Sequence, residues 1–230
     1  IRTDKSSRES HPTLFEDYSY MNREVKDVAA SVYGRLKNIA RQQNTDFQTI
    51  LQYYGMERSL YRLSRTEHQR KFILKGDLIF NAWELPFRRV TKDIDFRSFT
   101  QNSLTNIEEI FQAVCLQECQ ADGLLFDPDT LTLEVTQVNA EYDGIQGRLI
   151  CYLGKSRISI QIDIGFSDTI TPEPIVFEYP SYLPELPSPI LLGYPPETVI
   201  AEKVRNCSGI IDRKKKTNTE QPKNYLPYPP

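Results

Sequence analysis

Two aspartates spaced one residue apart, Asp93 and Asp95, form the part of the sequence best suited to chemistry. They stand in the segment DIDF, whose alternation of polar and apolar residues predicts a β-strand. Because side chains two positions apart in a strand share a face, the two carboxylates would project together and could bind a divalent cation. Asp163, in the alternating segment ISIQIDIGF, is a third candidate. If its strand lies beside the first, three carboxylates converge on a site that could hold Mg²⁺.

A lysine-glycine pair upstream of these aspartates adds a phosphate-binding feature. The apolar segment FILK, which ends at Lys75, predicts a short buried strand, and Lys75-Gly76 is the turn that follows it. Glycine lets the backbone approach a phosphate closely, and lysine supplies a point charge. The segment LIFNAW is expected to be the helix that follows, with free N–H groups at its start. A lysine-glycine pair followed by two aspartates and then one more, in that order, predicts chemistry on a nucleoside triphosphate.

Each of these residues also has a purely structural interpretation. Asp93 and Asp95 could bound an edge strand and pair with Arg88 or Lys92. Asp163 could be a core carboxylate whose hydrogen bonds are satisfied inside the protein. The sequence alone leaves these alternatives open.

The remaining pattern predicts a mixture of helices and strands. Apolar residues recur at helical spacing from Val25 to Ala40, from Phe47 to Tyr54 and from Ile107 to Cys115. The segments LTLEV, RLICYL and RISIQIDIGF read as strands because polar and β-branched residues alternate in them. A proline-rich stretch, residues 171–196, is expected to be a surface loop, and Pro196 is expected to start a further helix. The expected class is α/β (α+β): a mixed β-sheet flanked by helices, with a helical N-terminal region.

The domain boundaries follow changes of composition. Residues 1–20 are polar and aperiodic, so we expect a disordered leader before a native start at Met21. Residues 21–206 form the expected folded domain. Residues 207–230 combine a lysine run with several prolines and predict a disordered tail.

Composition restricts the function classes further. A formal net charge of −3 gives no global reason to bind a polyanion, so any nucleic-acid contact must be local. Four cysteines without a Cys-x-x-Cys pair and two distant histidines argue against zinc and against a disulfide framework. We expect no signal peptide, and the sequence has no apolar run long enough to cross a bilayer. These features predict a cytoplasmic protein that does not enter the membrane.

The motifs resemble those of the AbiEii/AbiGii toxin family of the nucleotidyltransferase superfamily, the toxins of type IV toxin-antitoxin and phage abortive-infection systems. The resemblance covers about Val25 to Lys203 and includes FILKGD, RVTKDIDF, IQIDIGF and ETVIAEK. Within RVTKDIDF the family motif R-x-T-x-D-h-D, where h is apolar, is present as Arg89, Thr91, Asp93 and Asp95.

The resemblance implies a role for each matched residue. Asp93, Asp95 and Asp163 would bind Mg²⁺ and act in catalysis together with Lys203. The implied nucleotide-binding residues are Lys75, Gly76, Asp77, Arg89 and Thr91. The implied reaction moves a nucleoside monophosphate from an NTP, such as GTP, to an acceptor such as the 3′ end of a tRNA, and a cognate antitoxin is the implied partner.

Two departures from the family pattern stand in the sequence. Asp77 occupies the position after Lys-Gly where the family usually has a small residue, and its charge should weaken binding of a triphosphate unless it faces away or joins the metal shell. The family's R-x-K-D…D pattern after AEK is not found, although Arg213 and Lys215 imitate its basic half. The alternatives to an enzyme are therefore a catalytically degenerate member that only binds nucleotide or antitoxin, and a plain interaction protein.

Overall fold

The computed structural model describes residues 14–83, 91–139, 142–166 and 172–204. In these ranges seven strands form one mixed sheet in the order β3-β4-β5-β2-β1-β7-β6. The strands are β1 (Phe72–Lys75), β2 (Asp93–Ser98), β3 (Leu124–Asn139), β4 (Tyr142–Leu153), β5 (Ser156–Phe166), β6 (Ile175–Glu178) and β7 (Ile190–Gly193). The helices are α1 (Leu14–Gln42), α2 (Phe47–Ser64), α3 (Leu104–Leu116) and α4, residues 196–204.

Parallel and antiparallel pairs alternate at the centre of the sheet. β2 pairs antiparallel with β1 and parallel with β5, and β1 pairs parallel with β7. The outer pairs β3–β4, β4–β5 and β6–β7 are antiparallel. This mixed sheet with helices confirms the fold class expected from the sequence.

One face of the sheet carries the hydrophobic core. The isoleucines of β5 at positions 158, 160, 162 and 164 are all buried. Close packing of α2 on this face depends on Gly55, because a Cβ atom there would lie 2.9 Å from Ile158 Cγ2. The polar residues that alternate with these isoleucines therefore lie on the opposite face, where the aspartates are.

A buried ionic cluster ties α2 to the start of β3. Asp122 accepts hydrogen bonds from Arg62 Nη1 at 2.6 Å and from Arg58 Nε at 3.2 Å, and all three side chains are almost fully buried. Glu57 accepts from the backbone N–H of Tyr182 at 2.9 Å, which fixes the segment before β7. Burial raises the pKa of Glu57.

Two expectations about local structure were wrong. LIFNAW is not an α-helix, since residues Asp77–Asn81 form a 3-10 turn that ends where the Ala82 N–H bonds to Ile79 O. Its apolar residues are consecutive, and the tight turn buries Leu78 and Ile79 together. The proline-rich stretch is not simply a loop, because it contains β6 and β7.

Pro196 does start α4, as expected from the sequence, and the Thr198 N–H donates a hydrogen bond to Pro195 O.

The expected boundary at residue 20 does not coincide with the start of an element, because α1 begins at Leu14. Residues 1–13 and the expected tail, 207–230, lie outside the described residues. Cys115, Cys119 and Cys151 are free thiols. Among the described helices, none combines the length and the apolar character that a membrane span requires.

Candidate functional site

A row of polar residues crosses four neighbouring strands on the face opposite the core. Asp95 of β2 is the register partner of Lys75 in β1 and of Asp163 in β5. Asp163 is in turn the partner of Gln146 in β4. Because neighbouring strands lie about 4.8 Å apart, the backbones of Lys75, Asp95 and Asp163 span only about 10 Å. The fold thus brings together a lysine and two carboxylates that are distant in sequence.

Gly76 makes room for the central carboxylate of this row. Its φ is +70°, a conformation that L side chains rarely adopt. A Cβ atom at this position would lie 2.7 Å from Asp95 Cγ and 2.8 Å from Asp95 Cβ, which is closer than atoms can pack. The glycine of the Lys-Gly pair therefore allows the backbone to approach the Asp95 carboxylate.

The environment of Asp95 is unfavourable for its negative charge. The pKa of Asp95 is raised to about 6, mainly by burial; Lys75 opposes the rise, and the carboxylates of Asp93, Asp163 and Asp77 add to it. A carboxylate that is costly to ionise is stabilised when a cation or a proton meets it. Among the charged groups that shift this pKa, Lys75 is a cation and Asp93, Asp163 and Asp77 are carboxylates.

A cavity of about 440 Å³ opens over this row. Its walls are Lys75, Gly76, Asp77, Thr91, Lys92, Asp93, Asp95, Val199, Glu202 and Lys203. Asp163 is not among these wall residues, and its Oδ1 accepts a hydrogen bond from Gln146 Nε2 of β4 at 2.7 Å. Asp163 therefore borders the site at the side away from the cavity.

Thr91 and Asp93 are held together at one wall of the cavity. The Thr91 hydroxyl donates to Asp93 Oδ1, and the Thr91 N–H donates to the hydroxyl of Tyr53 on α2 at 3.1 Å. Thr91 thereby fixes an oxygen of the first aspartate.

The opposite wall is formed by the 3-10 turn and α4. Lys203 Nζ forms an ion pair with Asp77 Oδ1 and lies 5.3 Å from the centre of the Phe80 ring. Lys203 is thus part of the same cavity as the aspartates, and Asp77 is neutralised by it instead of facing away.

Comparisons with known proteins bear on this geometry. The family model described as "Nucleotidyl transferase AbiEii toxin, Type IV TA system" matches residues 58–220 of the chain. This chain belongs to the AbiEii family. Curated proteins gave no match.

Two crystal structures of Helicobacter pylori proteins resemble the fold. JHP933 is 14% identical, with a TM-score of 0.44 over 69% of this chain and 56% of that chain. A candidate nucleotidyltransferase is 15% identical, with a TM-score of 0.43 over 69% of this chain and 58% of that chain. This chain therefore spans less than three fifths of the length of either structure.

The AbiEii match extends beyond the region that the structure describes. Arg89 of the R-x-T-x-D-h-D motif lies outside the described residues, and so does the chain after residue 204. The nucleotide-binding role of Arg89 remains a prediction, and Arg213 and Lys215 lie outside the described residues.

The donor atoms at the site suit a hard divalent cation. Asp93, Asp95 and Asp163 offer only oxygen, which Mg²⁺ prefers, and burial raises the pKa of Asp95, so a bound cation would stabilise its charged form. In the described part of the chain, however, no three His, Cys, Asp or Glu side chains are already gathered around one point. The set fits Mg²⁺ by chemistry, and Asp163 is oriented by Gln146.

Sequence reasoning missed several residues of this AbiEii site. Gln146 bonds Asp163, Tyr53 bonds the backbone of Thr91, and Gln52 Nε2 donates to Ser159 O of β5 at 2.8 Å. Glu202 lines the cavity beside Lys203. The alternation of Gln146 with Ile145 in β4 marks it as facing away from the core, which is the only signal that could have found it.

Proposed function

We propose that this member of the AbiEii family is a Mg²⁺-dependent nucleotidyltransferase. It would transfer a nucleoside monophosphate from an NTP such as GTP to an RNA acceptor, with the 3′ end of a tRNA as the acceptor. The observation that supports this most is the in-register row of Lys75, Asp95 and Asp163 beside Gly76. This row places oxygen ligands for a metal next to a cation and a turn for phosphate.

The proposed metal ligands are Asp93, Asp95 and Asp163. When bound, Mg²⁺ would neutralise charge on the triphosphate and make the attacking hydroxyl more acidic. Binding there would also satisfy the charge of Asp95, which burial disfavours. Thr91 would keep Asp93 in place through its hydroxyl.

The proposed nucleotide site is the cavity of about 440 Å³. Lys75 is the register partner of Asp95, and Lys203 pairs with Asp77 of the turn; we propose that both lysines contact phosphate. Arg89 would add a third cation. Asp77 already pairs with Lys203, so its charge would oppose the triphosphate less than an unpaired aspartate would.

Transfer would proceed by displacement at the α-phosphorus. The acceptor hydroxyl oxygen forms a bond to phosphorus while the bond to the pyrophosphate oxygen breaks, and the hydroxyl proton passes to Asp163. Positioning of these groups accounts for most of the rate in such transfers.

The family description as a type IV toxin supports a cellular role in toxin-antitoxin systems. We propose a cognate antitoxin as the partner, a role in phage defence by abortive infection, and the cytoplasm as the place where the NTP and RNA substrates meet the protein.

Label transfer tests the enzymatic proposal. The full chain is incubated with Mg²⁺, α-labelled NTPs and total tRNA, with EDTA as the metal-free control. We expect labelled RNA that disappears with EDTA and in Asp95→Ala, and that persists in Asp129→Ala, an exposed aspartate outside the cavity. Absence of labelled RNA with the wild-type protein would refute the proposal.

A second candidate is a degenerate member that binds nucleotide or antitoxin without transfer. The ion pair of Lys203 with Asp77 favours it, because the lysine is engaged within the protein. NTP binding without label transfer would identify this form, and the absence of both would identify a plain interaction protein.

A further inference from the structure

A second cavity, of about 290 Å³, lies over the polar face of the sheet beyond Asp163. Its polar lining residues are Thr132, Glu134, Gln146, Arg148 and Gln161. They come from β3, β4 and β5, and none of them lines the nucleotide cavity. The cavity is therefore a separate feature on the same face of the sheet.

Strand register places this second cavity next to the carboxylates. Gln146 is the partner of Asp163, and Gln161 is the partner of both Asp93 and Arg148. Two strand spacings, or about 10 Å, separate the backbones of Gln146 and Asp95. Asp163 thus lies between the two cavities, with one oxygen bonded to Gln146 at the edge of the second.

The side chains of this cavity have bonding capacity to spare. Within the described ranges, the guanidinium of Arg148 and the amide of Gln161 make no hydrogen bond or ion pair with protein groups. Arg148 is exposed and Gln161 is half-buried. Gln146 uses one donor on Asp163 and keeps its amide oxygen as an acceptor. A polar ligand would find donors and acceptors already arranged on a rigid sheet.

We propose that this second cavity binds the terminal nucleotide of the RNA acceptor. The inference rests on the proposed transferase function. In an in-line displacement the attacking oxygen approaches the α-phosphorus from the side opposite the departing pyrophosphate. With the triphosphate in the first cavity, an acceptor in the second would present its hydroxyl past Asp163, which takes the proton while the new oxygen–phosphorus bond forms and the bond to pyrophosphate breaks.

The chemistry of the lining favours RNA over a protein hydroxyl. Glutamine amides and an arginine guanidinium are the groups that bond base edges, and Arg148 can also meet a phosphate. Glu134 and Thr132 offer oxygen atoms to ribose hydroxyls, including the 2′-OH. The volume is close to the lower limit for small-ligand pockets, which suits one nucleotide and not a folded segment of protein.

Variants at the second cavity separate acceptor binding from nucleotide binding. Arg148→Ala and Gln161→Ala are compared with Arg157→Ala, an exposed arginine on the same face of β5 that lines neither cavity. The probes are tRNA for transfer kinetics and, for binding, a fluorescent short single-stranded RNA with a 3′-deoxy end that cannot react. Thermal melting checks that each variant is folded.

We expect Arg148→Ala and Gln161→Ala to raise the KM for tRNA and the Kd for the blocked RNA about tenfold. In these variants the KM for NTP should stay within about twofold of the wild-type value. Arg157→Ala should match the wild type in the KM for tRNA, the Kd for the blocked RNA and the KM for NTP. Unchanged RNA constants in both cavity variants, with an active wild type, would overturn this inference and leave the transferase function standing. Label found on protein hydroxyls in place of RNA would overturn the choice of RNA, and an inactive wild type would overturn both proposals.

Discussion

The carboxylate of Asp95 occupies the space that a side chain on Gly76 would need. A Cβ atom on Gly76 would lie 2.7 Å from Asp95 Cγ, and the backbone there has a φ of +70°. Gly76 and the second aspartate are therefore parts of one packed unit, and a side chain added at Gly76 must displace Asp95.

Substitution of Gly76 by alanine tests this packing. Gly76→Ala forces an alanine into a backbone conformation (φ +70°, ψ −159°) that is essentially restricted to glycine, which costs roughly 1–3 kcal/mol, and also displaces Asp95, which adds roughly 1–3 kcal/mol. Gly154→Ala is the control for positive φ alone, because Gly154 has a φ of +59° and nothing lies within 4 Å of its added Cβ. Urea unfolding and NTP binding measure the two effects. We expect Gly154→Ala to lower the free energy of unfolding only by the cost of its positive φ and to bind NTP normally. Equal losses of stability and of NTP binding in the two variants would contradict the packing.

The pKa of Asp95 predicts how stability depends on pH when metal is removed with EDTA. Burial raises the pKa of Asp95 to about 6 in the folded protein, compared with about 3.9 in an unfolded chain. The folded state therefore holds the proton more tightly, and the free energy of unfolding falls as pH rises from about 4 to about 6. The loss is complete above that range and amounts to at most ~3 kcal/mol.

Asp95→Asn removes this cost. Without divalent cations we expect the variant to melt several degrees above the wild type at pH 7.5, with a difference that shrinks toward pH 4. Asp129→Asn should melt like the wild type at both values, because Asp129 is exposed. A variant less stable than the wild type at pH 7.5 would show that Asp95 is satisfied by partners within the protein.

Much of the site was predictable because its elements are encoded locally. Alternation in DIDF and in ISIQIDIGF placed the aspartates on strands, away from the isoleucines of the core. The sequence could not show whether the strands of Asp95 and Asp163 are neighbours. These strands, β2 and β5, are joined by a long connection that includes α3 and two other strands. Register between distant strands depends on the whole core, so no local pattern could fix it.

The features that the sequence analysis missed also lack a local sequence signal. The strands β6 and β7 are four residues each and stand among prolines, so they carry no periodic signal. The ion pair of Asp77 with Lys203 joins the 3-10 turn to α4, which only tertiary structure brings together. Gln146 was missed because a glutamine in a strand ordinarily reads as a solvated residue.

The ion pair between Asp77 and Lys203 predicts that substitutions of its two members change the nucleotide affinity in opposite directions. Asp77→Asn removes a negative charge from the cavity and releases Lys203, so we expect NTP to bind about three- to tenfold more tightly. Lys203→Ala should weaken binding by a similar factor. Both effects should decrease at high salt, and stability should change by less than ~1 kcal/mol since the pair is partly exposed.

Titration calorimetry with Mg²⁺ and NTP measures these affinities. Glu197→Gln is the matched control, because Glu197 is an exposed acid on α4, the helix that carries Lys203, and does not line the cavity. Weaker binding in Asp77→Asn would mean that Asp77 supports the nucleotide or its metal directly.

The central claim is that Asp95 and Asp163, which are register partners on neighbouring strands, act as parts of one catalytic site. A double-mutant cycle on label transfer tests it most directly, with kcat measured for Asp95→Asn, Asp163→Asn and the double variant. Residues that act as a unit show strongly non-additive losses. We predict that each single change lowers kcat by roughly a hundredfold or more and that the double variant is little worse than either. Losses that multiply, or an Asp163→Asn variant with nearly full kcat, would contradict the account.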